Sequence, residues 1–578
     1  MNREKQRLAA AFLIGVAHVW GTTLFDSGAS GYFTKLVTVL AVTALGYFGL
    51  EGRFSDWRWS VPFAVFGTAA AFFKIAGRTV DTGAEANPWK MWLLLPFIWY
   101  AAVYTLCACG LCVLLGRRYA AATPAPDACL PRKTWIIYLS VIMLFWIPVI
   151  LSFGPVILSP DSRYIIRQAL GEEPLTDVHP VLYTLALRLF LKIGIALGDI
   201  LIGGYLFGLF QSFFLAGVVS YLLYWLRKRG CPAAFVWLSL ALFILTPGFA
   251  GLSITVWKDI PLNACLLLFT VNLYEIYETD GQWLCEGKKA AAFMTLCVAI
   301  CFLRANGYHL VVICLCLLAI AFKNHRKRFA ALFLPLFLII PVIRGPVYNA
   351  VGLKNLGSVE LAAVMIQQVA NAVVTDAALT VEQTEFLEQI MPIETIKQAY
   401  VYGSVDPLKY HPEFDRNFFN ENFNGFVRLW FELLPENIDA YLTGWLRETM
   451  GYWKPGFAAS TGYYVEEVSD YRGLKTIDVI GSLAGRSPRR ILHEHSNFIS
   501  LGTLAHLTAF CAAFLIAEKR SRAVICLTPV LVLWAGLMLI APVYAEYRYM
   551  LVAALALPLL LFLLFFGPAR PEKALPPE

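Results

Sequence analysis

Charge is scarce in this chain, and the motifs that usually mark catalysis in soluble proteins are missing. Only 15% of the 578 residues are Asp, Glu, Lys or Arg, against 58% hydrophobic, and the mean hydropathy is +0.63. A soluble domain of this composition has too few polar side chains to cover its apolar atoms, so that class is excluded. There is no G-x-S-x-G, no phosphate-binding G-x-x-x-x-G-K-[ST] and no H-E-x-x-H. Their absence argues against a serine hydrolase of the elbow type, an ATP-driven pump and a zinc protease. Cysteine is missing from the long polar stretch 344–497; most of the 13 cysteines lie in apolar runs, with Cys129, Cys231 and Cys285 in short loops. That distribution supports neither a disulfide framework nor a cysteine metal site. No internal repeat is visible. The formal charge of +7 comes largely from short basic loops between apolar runs. Membrane topology and anionic lipid explain that placement, so nucleic acid is not an expected partner.

What is present is a succession of apolar runs near bilayer length, ~20 residues at ~1.5 Å each for a hydrocarbon core of ~30 Å. Candidate spans lie at about 8–25, 32–50, 61–77, 92–116, 134–158, 200–226 and 233–250. Further ones lie at about 260–278, 289–303, 308–322, 329–343, 498–517, 523–541 and 549–567. They predict an all-α polytopic membrane protein with about 14 transmembrane helices. The opening MNREKQR followed by LAAAFLIGVAHVW has the layout of a secretory signal without a small-residue cleavage site, and reads as an uncleaved first span. With the N-terminus inside, the first cytoplasmic loops hold Arg53 and Arg58, then Arg117, Arg118, Arg132 and Lys133, then Arg227, Lys228 and Arg229. The later ones hold Lys288 and Lys289, then Lys323, Arg326, Lys327 and Arg328, and finally Lys519, Arg520 and Arg522. Every inner loop is then basic, as the positive-inside bias requires, with both termini cytoplasmic.

This scheme leaves 181–198 (VLYTLALRLFLKIGIALG) as a helix lying in the interface, because one more span there would put the later basic loops outside. Arg188 and Lys192 stand four apart on one face, with their charges expected in water or on headgroups. Residues 159–199 thus form one outer loop. The stretch 344–497 is too long for a linker. VELAAVMIQQVANAVV has an amphipathic pattern, Thr380-Val381-Glu382-Gln383 a capping box, and Pro435-Glu436 a helix start. The organisation is a four-span N-terminal extension (1–133), a transmembrane module (134–343), a small, mostly helical outer domain (344–497), a three-span bundle (498–567) and a Pro-rich, disordered cytoplasmic tail (568–578).

Three cations stand where the topological bias disfavours them, at outer ends of spans: Lys258 in VWKDIP, Arg304 in FLRANGYH and Arg548 in YAEYRYM. Each has an ordinary explanation. Asp259 resembles a helix cap, Gly307 a helix closure after Arg304, and Glu546 a partner for Arg548. Together they face the same outer leaflet as the acids of SPDSRYIIRQALGEEPLTDVHP, residues 159–180. A phosphate or pyrophosphate headgroup attracts such cations, and each charge-assisted hydrogen bond is worth ~1.5–3 kcal/mol when partly desolvated. Asp161, directly after Pro160, is the candidate general base, although it also fits a cap on SRYIIRQAL. His179, before Pro180, is the second catalytic candidate, although helix initiation and solvation also explain it. Glu172 and Glu173 read as solvated loop charges. His493-Glu494-His495 in an extended segment would put alternate residues on one face for a metal, but without a third ligand. Asp406, His411, Glu413 and Asp415 form an acidic, His-containing stretch that reads as solvated surface.

The stretches SPDSRYIIRQALGEEPLTDVHPVLYTLALRLF, WKDIP, FLRANGYH and VYAEYRYMLV resemble an uncharacterised bacterial family of multi-span proteins grouped with the GT-C glycosyltransferases, over roughly residues 134–567. The resemblance implies a GT-C-like fold in the bacterial cytoplasmic membrane. It implies transfer of a sugar, hexosyl or pentosyl, from a polyprenyl-phosphate-linked donor to a glycan, lipid or protein acceptor of the cell envelope. The active site would be extracytoplasmic and the outcome inverting. Asp161 matches the base of such enzymes, and Arg304 and Arg548 are candidates for the donor phosphate. Lys258 joins the phosphate set and His179 the catalytic set by their place on the same rim; Asp259, Asn306, Glu546 and Tyr547 are supporting candidates. No metal ligand is assigned, and the resemblance allows a divalent metal that the sequence does not indicate. The alternative is a transporter or flippase of lipid-linked saccharides, in which the same cations pass a phosphate along without chemistry. Charges at mid-bilayer depth and interrupted spans in paired halves would mark it. Membrane lipids are partners in either case.

Overall fold

The computed structural model describes residues 3–25, 32–51, 56–82, 91–119, 130–177, 179–353, 357–457, 470–496, 498–540 and 543–567. The tail 568–578, Arg53 and Cys129 lie outside them. The described chain is helical, with isolated bridges such as Ile157 to Thr255 and Ser404 to Val543. In chain order come α1 (Arg3–Phe25), α2 (Tyr32–Gly49), α3 (Trp57–Thr82), α4 (Met91–Tyr119), α5 (Lys133–Phe153), α6 (Pro160–Leu170) and α7 (Val181–Ala196). They are followed by α8 (Ile200–Lys228), α9 (Ala233–Leu245), α10 (Pro247–Ile254), α11 (Asp259–Glu278), α12 (Gly287–Leu303), α13 (Ala305–Ala321) and α14 (Arg326–Val342). Among the described residues nine helices are long and apolar enough to cross a membrane, or ten if the bent pair α9–α10 is one span. This is the anatomy of a multi-pass α-helical membrane protein.

Every stretch expected to span is helical over most of its length. α12, α13 and the helix Leu501–Ala517 have 17 residues each, a reach of only ~25 Å, and α1 begins with charged residues that lower its hydropathy. These four account for the difference between fourteen stretches and the ten. The α9–α10 bend is 59°, placed where Pro247 removes an amide donor and crowds the preceding turn. The stretch 134–158 ends early: α5 stops at Phe153, and 154–157 continue as buried non-helical chain.

The body is one large core drawn from α5, α8 to α14 and the C-terminal helices. The N-terminal helices α1 to α4 pack mainly on one another, and α3 leans on Leu501–Ala517 and on the helix Ile438–Trp453, whose Trp453 stacks on Phe73 at 5.3 Å. α7 departs from its expected role in one respect. Its Lys192 is exposed, but Arg188 is half-buried and donates to the Gln168 and Ala169 carbonyls, closing the C-terminal turn of α6. The region between α14 and the helix Leu501–Ala517 has its own core from Val359 to Tyr441. Its central helix Ala363–Val374 keeps the expected polar side, but that side is buried too, with Gln367, Gln368 and Asn371 donating to Glu448 and to the Tyr441 and Ala440 carbonyls. The Thr380–Gln383 capping box forms. From Leu446 onward the helix Ile438–Trp453 belongs to the main core, so the separate unit is narrower than 344–497.

Candidate functional site

Residues 154–158 and 255–258 build the site. Ile157 donates to the Ile254 carbonyl at 3.0 Å and accepts from Val256 at 3.0 Å, so two irregular connections lie side by side inside the protein with their backbone groups satisfied. Gln211 of α8 holds this pair by donating to the Ser253 and Thr255 carbonyls at 2.9 and 2.7 Å. Ser159, not Asp161, caps α6: its hydroxyl accepts from the Ser162 amide, and Ser162 Oγ receives the Ser159 amide. Ser162 Oγ also donates to the Val256 carbonyl at 3.0 Å, and Trp257 Nε1 donates to Ser159 Oγ. With capping done by serine, the Asp161 carboxylate is left for other partners, next to the Trp257–Lys258–Asp259 corner.

One partner comes from the far end of the chain. Arg548 Nη1 donates to Asp161 Oδ2 at 2.7 Å across 387 positions. Arg548 is almost completely buried, whereas 41% of the Asp161 side chain is exposed. The guanidinium lies 4.3 Å from the Trp257 ring centroid and 5.0 Å from that of Tyr549. Its Nε stands 3.1 Å from Glu546 Oε2, an ion pair without hydrogen-bond alignment, since both atoms lack a hydrogen-bond partner. Tyr549 also lies under Arg304, at 4.5 Å, and so joins the two arginines. Arg304 is the extended residue between α12 and α13 and pairs with Asp259, which is fully buried at the first position of α11. Gly307 allows that sharp corner, because a Cβ there would sit 2.3 Å from the Ile300 carbonyl oxygen. Asn263, one turn into α11, donates to the carbonyls of Asp259 and Arg548 and accepts from the Val552 amide, tying α11 to the Tyr547–Met550 turn.

Electrostatics matches the crowding. Burial alone would raise the Asp161 carboxyl, but Arg548 and Lys258 beside it bring it down to about 2. Burial lowers Lys258, opposed by Asp259 and Asp161. Burial raises Glu546, opposed by Arg548. His179 is buried, stacked at 6.2 Å on Tyr164, and its Nδ1 has no hydrogen-bond partner. Burial first, then Lys258 and Arg548, push its imidazole down to about 4 against the pull of Asp161. Asp259 Oδ2, Glu546 Oε2, Arg548 Nε and His179 Nδ1 are all buried without hydrogen-bond partners. Buried polar groups are ordinarily hydrogen-bonded, so a ligand or water that supplied the missing partners would be stabilised here.

The structure therefore brings Asp161, His179, Lys258, Asp259, Arg304, Glu546 and Arg548 into one cluster. Two supporting candidates stand apart from it in their contacts. Asn306 is exposed on α13. Tyr547 is buried, stacked on Phe498 at 4.2 Å, with its hydroxyl on the Ile499 carbonyl, and serves packing. Tyr549 and Trp257 were not anticipated, although an aromatic beside Lys258 and beside Arg548 was the available signal. Arg344 was also missed: just past the C-terminal end of α14 it pairs with Asp177 and donates to the Ala305 carbonyl, pinning the second end of the 159–180 loop. Glu172 and Glu173 pair with Arg472 and Arg167 and are not merely solvated. Asp406 pairs with Lys409, Glu413 accepts from Thr395, and Asp415 caps a short helix.

No set of three His, Cys, Asp or Glu side chains gathers as metal ligands among the described residues. The expected extended His493–Glu494–His495 pair is overturned. Arg489–Glu494 is a helix, Glu494 pairs with Arg490, and His495 bonds to the Ile491 carbonyl. In the cluster itself the carboxylates already face cations. An apolar groove between α1 and α4, lined by Trp20, Leu95, Pro96 and Trp99 among others, contains none of the cluster residues.

The family described as "Family of unknown function (DUF6020)" matches residues 85–574, taking in α4 and the whole cluster and leaving α1 to α3 outside. No curated protein matches the chain, and no solved structure does.

Proposed function

Because the chain belongs to this family of unknown function, we propose from the cluster itself that the protein is a membrane glycosyltransferase of GT-C type acting on a polyprenyl-phosphate-linked sugar. The observation that carries the proposal is the contact of a partly exposed carboxylate, Asp161, with a buried guanidinium, Arg548, next to Lys258 and Arg304. The donor's tail lies among the spans and its phosphate meets Arg548 and Arg304. Asp161 takes the proton of an acceptor hydroxyl. The acceptor oxygen forms its bond to the anomeric carbon from the face opposite the phosphate, and the carbon–oxygen bond to phosphate breaks with its electron pair leaving on the phosphate. Cations at that oxygen gain interaction as charge develops, so they favour the transition state over the bound donor. In this reading fourteen stretches span the bilayer, both termini are cytoplasmic, and the cluster opens to the outer side.

Transfer from a radiolabelled prenyl-phosphate sugar in proteoliposomes tests it. Asp161→Asn is expected to insert and purify normally and to lose transfer; wild-type turnover from that variant excludes Asp161 as the base. The second reading, a flippase of lipid-linked saccharides, is favoured by one observation, the broken α9–α10 span. Headgroup movement without a new glycosidic bond in the same vesicles selects it.

A further inference from the structure

We infer that Arg548 changes partner during turnover: Asp161 holds the guanidinium in the ligand-free protein, and a lipid-linked phosphate must displace that carboxylate before Asp161 can act as a base. The inference rests on the phosphate-binding role given to Arg548 above and adds an internal competitor and an order of binding.

The geometry restricts which partner can move. The backbone of Arg548 is held by Asn263 at 2.8 Å, and Trp257 lies against its guanidinium at 4.3 Å, so the cation is fixed on both counts. Trp257 is itself fixed through Ser159. The side chain of Arg548 is 9% exposed, against 41% for Asp161. A ligand therefore reaches the guanidinium from the Asp161 side, where the carboxylate already occupies Nη1. Glu546 stands on the Nε flank, 16% exposed and out of hydrogen-bond alignment. Carboxylate and phosphate oxygens are alternative acceptors for the same planar fork, and the two anions repel one another at this distance, so they cannot share it without cost. Once phosphate is in place, Asp161 keeps Lys258 as a neighbour but loses its direct cation, and its affinity for a proton rises toward that of an ordinary carboxylate. Activation of the base thus follows arrival of the donor, and an acceptor bound alone meets a carboxylate already engaged by Arg548.

The test is calorimetric titration of geranyl phosphate into the full chain in detergent, with geraniol as the tail-only control. Asp161→Asn is expected to bind geranyl phosphate about tenfold tighter than wild type, or about 1.4 kcal/mol, because the charged competitor is gone. Arg548→Gln is expected to bind at least about tenfold weaker. Asp161→Ser repeats the first comparison, and monodispersity with an unchanged melting profile shows that each variant is folded. If Asp161→Asn binds no tighter while Arg548→Gln is weakened, the exchange is overturned and the phosphate site stands. If Arg548→Gln binds like wild type, if geraniol binds as well as its phosphate, or if no form binds, the phosphate role of Arg548 falls and the exchange falls with it.

Discussion

Replacing Arg304 by Gln probes whether this cation is held by the fold or reserved for a ligand. Asp259 is fully buried, only one of its carboxylate oxygens is paired, and that pairing is to Arg304. Removing the cation leaves a carboxylate in the interior with neither oxygen paired. Breaking a buried pair from one side costs about 3–5 kcal/mol, mostly through the charge left behind. The reverse change, Asp259→Asn, costs less, about 1–2 kcal/mol, because Arg304 is 17% exposed and keeps the Tyr549 face at 4.5 Å. The double substitution leaves two neutral amides and is expected to lose about 1–2 kcal/mol relative to wild type, a coupling of about 3–5 kcal/mol between the sites. Equilibrium unfolding in mixed micelles with rising SDS, followed by circular dichroism, reads all four corners of the cycle. A loss below about 1 kcal/mol for Arg304→Gln, or additive single effects, would show that the pair is not what fastens α11 to the α12–α13 corner, and the whole charge of Arg304 would be available to a ligand.

Further expectations concern the walls of the cluster. His179 is held neutral among Tyr164, Lys258, Asp161, Asp259 and Arg548, with its imidazole near 4 instead of 6.5. The unfolded chain takes up this proton first, so the stabilising share is complete above about pH 6.5 and is lost on acidification toward pH 4, up to about 3 kcal/mol; His179→Gln should flatten that slope in thermal unfolding between pH 7 and 4. Gly451→Ala places a Cβ 2.0 Å from the Tyr544 carbonyl oxygen and 2.7 Å from the Ala545 Cα, so backbone must shift to admit it. A loss of about 1–3 kcal/mol is expected, together with weaker geranyl phosphate binding, because residues 544–548 carry Glu546 and Arg548. Arg344→Gln leaves Asp177 without its cation and should speed hydrogen exchange across 171–180 while leaving exchange in α11 unchanged; equal acceleration in both would show that the change unfolds the site instead of releasing one loop end.

The helices were legible because each is decided locally. A run of about 20 apolar residues pays no cost to enter lipid and satisfies its own backbone, whatever the rest of the chain does. The rim cations Lys258, Arg304 and Arg548 were legible for a related reason, since charge beside the bilayer is costly enough to stand out. Finer assignments failed where several local solutions have similar energies. Asp161 and Ser159 were both adequate caps for α6, and the serine took the position. Arg188 had water available on one side and unpaired helix carbonyls on the other, and the carbonyls took it. His493 and His495 were read on an extended chain, but the segment coils into a helix that pairs Arg490 with Glu494.

The class of molecule, an array of helices apolar enough to cross a membrane, and the short set of charged residues in costly positions were therefore readable from composition and pattern alone. Which of those charges meet depended on how distant helices pack: Arg548 lies against Asp161, Arg304 closes on Asp259, and Tyr549 stands between the two arginines. Transfer into lipid is a property of one segment. An ion pair is a property of two, and the 387 positions separating Asp161 from Arg548 carry no local signal of how the intervening helices fold back.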